Sequence, residues 1–174
     1  MISEQTQGKT RLLTMRNEYL QVEIAPEVGG RIVALQNLEN GYQYLWRNSG
    51  LALERLPAGS EYDPNFYGGI DELLPNDMPE EINGLSYPDH GELWTHALDW
   101  KCQGEKIVLS GTLPICGLYY ERTMQLSTAG PELLLGYRIV NPTESSRNFL
   151  WKFHAALDIR QGDQIICPAR TAVV

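Results

Sequence analysis

Two histidines stand in sequence surroundings that suit proton transfer. His90 lies in the run Tyr87–Trp94 between an aspartate and a glycine, with a glutamate and a tryptophan close behind it. His154 lies in the apolar run 149–157. Because imidazole gains and loses a proton near neutral pH, both are candidates for acid–base or ligand chemistry. The alternative for each is a hydrogen-bonded packing histidine beside aromatic side chains.

A metal site is a second interpretation of the first segment. His90, Glu92 and His96 are spaced by two and by four residues, so on a continuous strand they would share one face. Two histidines and a carboxylate can bind iron or zinc. Pro88 and Gly91 indicate bent backbone here, which weakens the spacing argument. A metal-dependent sandwich enzyme is therefore an alternative, while the leading interpretation predicts no metal or other cofactor.

Other side chains of the chain could take part in binding. The carboxylates near His90 are expected to form a solvated acidic loop, with one or two inside a site: Asp71, Glu72, Asp77, Asp89 and Glu92. The tryptophans could supply flat platforms for sugar rings, although most are expected in the core: Trp46, Trp94, Trp100 and Trp151. Nucleophilic catalysis has little support, since the chain contains no Gly-x-Ser-x-Gly elbow.

The elements that must position these residues are predicted to be β-strands almost throughout. Leu20, Val22 and Ile24 alternate with polar residues, which is typical of a strand with one buried face. Similar patterns predict strands at 31–36, 42–46, 97–102, 106–113, 120–126, 133–139, 148–159 and 164–167. The segment 47–96 is rich in turn residues and is predicted to be a long loop, and no helix of three turns is expected. Strands with short turns indicate an antiparallel sandwich.

Composition limits the classes of function. At 174 residues, with 43% apolar and 21% charged residues, the chain is expected to form one domain over 1–174. A net charge of −8 argues against nucleic acid as a partner. No apolar stretch is long enough to span a bilayer, and the N-terminus does not resemble a secretory signal. Three widely spaced cysteines, Cys102, Cys116 and Cys167, fit reduced thiols in a cytoplasmic protein.

Several short motifs together resemble the N-terminal portion of the aldose 1-epimerases, or galactose mutarotases. They lie in the same order and at similar spacing across nearly the whole chain: 17–24, 26–32, Leu74–Asp77, His90–Trp94 and Trp151–His154. The resemblance implies a large antiparallel β supersandwich, present here in truncated form, that holds a sugar in an open cleft. It implies that a carboxylate removes the anomeric proton while a histidine protonates the ring oxygen.

The resemblance also suggests roles for individual residues. His154 matches the proton-donating histidine of the family, and His90 matches the one that orients the sugar. Weaker candidates for substrate binding are Asn76, Asp77, Glu92 and Trp94. The family usually carries an arginine shortly after the Pro-Asn element, where this chain has Asp77-Met78-Pro79. The general-base glutamate of the family comes from a C-terminal half, so no residue here takes that role by resemblance.

The prediction is therefore a carbohydrate-binding protein of aldose 1-epimerase type whose full-length activity would interconvert sugar anomers. A non-catalytic sugar-binding module is the first alternative. The partner would be a monosaccharide or sugar derivative, with no nucleic acid or membrane. The segment Pro168–Val174 ends on small apolar residues, which favours a piece of a longer fold. Exposed strand edges would then favour self-association into a homo-oligomer.

Overall fold

The computed structural model of the chain describes residues 1–164, 166, 168, 169 and 171. Its strands are β1 Ile2–Gln7, β2 Thr10–Arg16, β3 Leu20–Ala25, β4 Arg31–Asn37, β5 Ile70–Leu73, β6 Glu80–Ile82, β7 Leu85–Tyr87, β8 Asp99–Gln103, β9 Lys106–Thr112, β10 Tyr119–Leu126, β11 Leu133–Val140 and β12 Lys152–Ala155. Two single turns of 3-10 helix cover Asp63–Asn65 and Leu93–Thr95. Within the described residues, no helix has the length and apolarity needed to cross a bilayer.

The strands form two larger sheets and one small hairpin. The six-stranded sheet has the order β1-β2-β3-β4-β5-β12, and the four-stranded sheet has the order β11-β10-β9-β8. Strands β6 and β7 pair only with each other. All paired strands run antiparallel. The chain is therefore all-β, as the sequence predicts.

The main core lies between the two larger sheets. Alternate residues of β3, such as Val22 and Ile24, pack in one cluster with Ile107 and Leu109 of β9. The same alternation is visible in β10, where every second residue is buried. This period of two is the reason that one face of each strand turns inward. The two sheets form a β-sandwich over this shared apolar layer.

Strand β5 is the element that links the core to the outer face of the six-stranded sheet. All four of its residues are buried. Because neighbouring residues of a strand point to opposite faces, Glu72 enters the core beside Tyr120 and Arg122, while Asp71 faces outward. There Asp71 meets Tyr62, which belongs to the long segment between β4 and β5. Two adjacent carboxylates thus serve two separate environments.

Several predicted elements differ in the structure. Residues 42–46 make isolated bridges instead of a strand, because the side chain of Gln43 accepts the backbone N–H groups of Leu35 and Leu45. The predicted strand 148–159 is regular only over β12, with one more bridge at Leu157. The predicted loop 47–96 contains β5, β6 and β7.

Three predictions are not tested by the described residues: the strand 164–167, the single domain and self-association. In the predicted strand 164–167, residues 165 and 167 lie outside the described part of the chain, and Cys167 with them. Cys102 is exposed and Cys116 is buried, and both are free thiols. The single domain over 1–174 and the self-association through strand edges stay predictions.

Candidate functional site

His154 is held from behind by a buried group of polar side chains on the outer face of the six-stranded sheet. Its Nδ1 lies 2.8 Å from the Tyr62 hydroxyl and 3.1 Å from Asp71 Oδ1. The Tyr62 hydroxyl donates to Asp71 Oδ2 at 2.8 Å. Arg31 donates to the same oxygen at 2.9 Å and to the carbonyl of Gly68 at 3.0 Å. Asp71 and Arg31 are both almost fully buried, and their close pairing offsets the cost of burying each charge.

This arrangement assigns the tautomer of His154. An ionised carboxylate only accepts hydrogen bonds, so the ring nitrogen that faces Asp71 carries the proton. Burial, and then the charge of Asp71, raise the pKa of Tyr62, so its hydroxyl stays protonated and donates to the carboxylate. The neutral ring therefore keeps its lone pair on Nε2. The side chain of His154 is 36% exposed, so a ligand can reach the ring.

His90 packs against the same tyrosine. Its ring stacks on Tyr62 with centroids 3.9 Å apart and planes 7° from parallel, while His154 lies 5.9 Å from Tyr62, tilted by 60°. Nδ1 of His90 is 2.8 Å from Asp89 Oδ1, and the other oxygen of Asp89 accepts the backbone N–H of Tyr62 at 3.3 Å. The structure thus brings both predicted histidines together, with Tyr62 between them.

Asn76 and Asp77 lie beside His90 and border a hollow of about 370 Å³. Asp77 Oδ1 is 4.0 Å from Nε2 of His90, and Asp77 Oδ2 is 2.6 Å from Nζ of Lys152. Lys152 precedes His154 by two residues in β12, so both side chains share one face of the strand. Asp77 Oδ1 and Asn76 Oδ1 have no hydrogen-bond partner among the described residues. Both oxygens are buried, so the groups that a ligand can reach at this edge are the partly exposed side chains of Asp77 and Lys152.

Asn76 also has a structural role at this edge. Its side-chain nitrogen donates to the carbonyls of Met78 and Pro88, at 2.8 and 2.7 Å. These two bonds join the two sides of the segment that carries β6 and β7, and they place Asp77 next to His90. The backbone of His90 completes the connection by donating to the carbonyl of Asp77 at 2.8 Å.

The structure places Glu92 and Trp94 behind the cleft instead of in it. The carboxylate of Glu92 is buried and accepts the backbone N–H groups of Ile115 and Cys116, both at 2.8 Å. Trp94 is buried too, and its ring meets Tyr62 edge to face at 5.1 Å. Glu92 anchors the turn between β9 and β10, and Trp94 supports Tyr62. Neither placement supports direct contact with a substrate.

The residues of the metal alternative do not converge in the described structure. Glu92 uses both oxygens on backbone amides, and His90 uses Nδ1 on Asp89. His96 lies against Gly111 of β9, and desolvation by burial lowers its pKa. Among the described residues, no group of three or more histidine, cysteine, aspartate or glutamate side chains is arranged to hold a metal ion.

The residues behind His154 that the sequence does not single out are Tyr62 and Arg31, together with the part of Asp71 in holding the ring. Asp71 belongs to the carboxylates expected in a solvated acidic loop with one or two inside a site, and it is 1% exposed, as is its neighbour Glu72. Tyr62 lies in the polar segment 47–96 without a recognisable motif. The sequence feature that could indicate Tyr62 is its pairing with Phe66 around a Pro-Asn turn. Aromatic residues in a polar loop usually bury their rings against other side chains.

Gly91 sets the backbone next to His90, and its replacement tests this local geometry. Gly91 has φ +73°, and a Cβ there would lie 2.4 Å from the carbonyl oxygen of Leu74. Gly84 has a similar φ of +75° with nothing within 4 Å of a Cβ. Alanine at either position bears the left-handed penalty of about 1–2 kcal/mol. We expect Gly91→Ala to lower the free energy of unfolding by at least about 2 kcal/mol more than Gly84→Ala, because only Gly91→Ala adds a clash with backbone.

Urea unfolding of the two variants measures this difference directly. Equal losses for Gly91→Ala and Gly84→Ala would show that the backbone next to His90 can shift away from Leu74 at little cost. That result would contradict the close approach of these two segments.

Comparisons with known proteins place this geometry in a structural context. A family model described as a domain of unknown function, DUF5107, matches residues 2–75. No curated protein matches the chain.

Solved structures similar to this chain include mutarotase-like proteins and part of a larger enzyme. A galactose mutarotase-like protein from Lactobacillus casei is 21% identical with a TM-score of 0.64, over 86% of this chain and 50% of that one. A putative mutarotase from Salmonella typhimurium is 13% identical with a TM-score of 0.56, over 72% and 43%. A 4-alpha-glucanotransferase from Thermococcus litoralis is 15% identical with a TM-score of 0.56, over 80% and 24%.

These identities establish likeness of fold alone. The alignments span no more than half the length of the three structures. The chain has an all-β, antiparallel fold that matches part of the galactose mutarotase-like sandwich proteins.

Proposed function

We propose that this chain binds a saccharide over His154 and His90, and that His154 exchanges a proton with the sugar ring oxygen in a mutarotase-like reaction. The observation that carries the proposal is the hydrogen-bonded group behind His154. Tyr62 and the buried Asp71–Arg31 pair hold Nδ1, which leaves Nε2 as the nitrogen that can exchange a proton. A positioned imidazole of this kind is a general acid or base.

The proposed chemistry begins with the protonated form of His154. Nε2–H donates its proton to the ring oxygen while the bond between that oxygen and the anomeric carbon breaks. The anomeric hydroxyl loses its proton to a base, and its carbon becomes the carbonyl of the open-chain sugar. After rotation about the adjacent carbon–carbon bond, attack of the hydroxyl on the other face closes the ring. His154 then recovers its proton from the attacking oxygen, and the base returns its proton to the former carbonyl oxygen, which becomes the anomeric hydroxyl again.

The polar groups beside the histidines suit a ligand rich in hydroxyl groups. The side chains of Lys152 and Asp77 are 40% and 36% exposed and pair with each other, and Lys152 lies on the same face of β12 as His154. Hydrogen bonds to charged groups are stronger than those between neutral groups. Sugar hydroxyls can donate to the carboxylate of Asp77 and accept from the ammonium group of Lys152.

The base that removes the anomeric proton is not assigned to a residue of this chain. The resemblance to the aldose 1-epimerases implies that it comes from a part of the family fold that these 174 residues do not match. A non-catalytic sugar-binding module is the second candidate function. The observation that favours it is the limited coverage, since the chain aligns with at most half of each structure named above.

Titration with D-glucose and D-galactose, followed by NMR of the imidazole nitrogens, tests the proposed binding. We expect saturable shifts of the His154 and His90 signals and no comparable shift of His96. The matched comparison is internal, because His96 lies against Gly111 of β9. Binding without faster anomer exchange would select the non-catalytic module. The absence of any saturable shift up to high sugar concentration would overturn the saccharide site.

A further inference from the structure

The aromatic surface beside His154 extends beyond the space that one sugar ring needs. The indole of Trp46 stacks on Phe66 with centroids 5.9 Å apart and planes 30° from parallel. Phe66 in turn lies 5.2 Å from the His154 ring. Trp46 is 41% exposed, whereas Trp94 and Tyr62 are buried. Trp46 is therefore the tryptophan of this face that can present its ring to a ligand.

The backbone fixes Trp46 on the same side of the sheet as His154. Leu45 bridges Leu157, and the backbone N–H of Trp46 donates to the carbonyl of Ala156 at 3.0 Å. Since Leu45 is part of the core, its neighbour Trp46 points to the outer face. A Cβ on Gly68 would come within 2.9 Å of the indole, so the ring lies directly over this glycine. This packing restricts the motion of the indole, so less conformational entropy of the side chain is lost when a ligand stacks on it.

Trp46 also forms the wall of an open groove of about 510 Å³, a size that suits small ligands. Leu51 and Tyr67 add apolar surface, while Arg47, Asn48 and Asp158 add hydrogen-bonding groups. Asp158 follows His154 by four residues, so an extended chain places the two on one face roughly 13 Å apart. The groove and His154 are thus joined along a single row of side chains.

We propose that this groove binds a second sugar ring, and that the chain therefore recognises the reducing end of an oligosaccharide instead of a free monosaccharide. This inference rests on the proposed function, since His154 would act on the terminal ring. The C–H face of a pyranose is weakly positive and complements the negative face of an indole. The polar residues of the groove, Arg47, Asn48 and Asp158, can bond to the hydroxyl groups around the sugar ring. Arg47 and Asp158 carry opposite charges, which suits a neutral ligand.

Binding constants for two classes of saccharide test the inference. The probes are D-glucose and D-galactose on one side, and maltotriose, cellotriose and lactose on the other, measured by calorimetry and NMR. We expect at least one oligosaccharide to bind about tenfold more tightly than its monosaccharide, a difference of about 1.4 kcal/mol. Trp46→Ala should remove this gain and leave monosaccharide binding within about twofold, while Trp46→Phe should keep part of it.

Two controls keep loss of folding separate from loss of stacking. Tyr19→Ala removes an aromatic side chain of similar exposure, 38%, that lines a different hollow. In the wild-type protein, the indole N–H signal of Trp46 should shift with the oligosaccharide and not with the monosaccharide. Monosaccharide binding at His154 with no gain for any oligosaccharide would overturn the second ring site and leave the proposed function intact. Failure of every saccharide to bind would overturn both.

Discussion

Replacing His154 with glutamine is expected to abolish the acceleration of sugar anomer exchange that the proposed function assigns to it, while leaving saccharide binding nearly unchanged. Glutamine retains a hydrogen-bonding side chain but cannot exchange a proton at neutral pH. A positioned general acid contributes about 10²- to 10⁴-fold to rate, so kcat should fall by that factor with KM little altered. Exchange NMR spectroscopy on equilibrated D-glucose and D-galactose measures the rate without a coupled enzyme.

The group behind His154 predicts how a second variant should behave. Asp71→Asn keeps the size of the side chain but removes the negative charge that faces Nδ1 and Arg31. The amide can donate to Nδ1, which favours the other tautomer and puts the proton of the neutral ring on Nε2. The rate should fall, and the nitrogen chemical shifts of His154 should report the change of tautomer. A merely structural role of Asp71 would lower stability without that spectroscopic change.

His96→Gln is the matched control, because His96 lies against Gly111 instead of Tyr62. It should leave the exchange rate within about twofold of the wild type. An unchanged rate in His154→Gln, when the wild-type chain does accelerate exchange, would remove His154 from the chemistry. If the wild type itself gives no acceleration but binds sugar, the non-catalytic module is the correct description.

The strands that the sequence predicts well are those that bury one face. Val22 and Ile24 alternate with polar residues because the inner face of β3 meets the opposite sheet and its outer face is less covered. That relation between period and burial is local, so the sequence carries it. His90 and His154 were found for a similar reason, since their aromatic and acidic neighbours are close in sequence.

The sequence does not predict strand β5, because both of its faces are buried and two of its four residues are acidic. A carboxylate is expected in solvent unless a partner neutralises it. Here Asp71 pairs with Arg31, which is 40 residues away, and Glu72 pairs with Arg122, which is 50 residues away. Nothing near β5 in the sequence indicates these partners. The site depends on such distant pairs, which explains why its histidines could be predicted and the group that positions them could not.

Removing the carboxylate of Glu72 should produce a large loss of stability. Its Oε1 accepts from Arg122 at 2.7 Å and from the Tyr137 hydroxyl at 3.0 Å. Its Oε2 accepts from the Tyr120 hydroxyl at 2.6 Å and from the Trp151 indole N–H at 2.9 Å. Arg122 is fully buried. Glu72→Ala would leave this guanidinium without its counter-ion, and we expect the free energy of unfolding to fall by about 3–5 kcal/mol.

Urea unfolding of Glu72→Ala beside Glu81→Ala measures the effect. Glu81 is an exposed glutamate of β6, so its replacement should change stability by no more than about 0.5 kcal/mol. The double variant Glu72→Leu with Arg122→Met removes both buried charges and should recover much of the loss, since apolar side chains can replace a buried ion pair. A loss below about 1 kcal/mol in Glu72→Ala would mean that water reaches Arg122 easily, which contradicts a dry core around β5. Because Glu72 and Asp71 point to opposite faces of β5, that outcome would bear on the core alone, and the support of His154 would still be judged from Asp71→Asn.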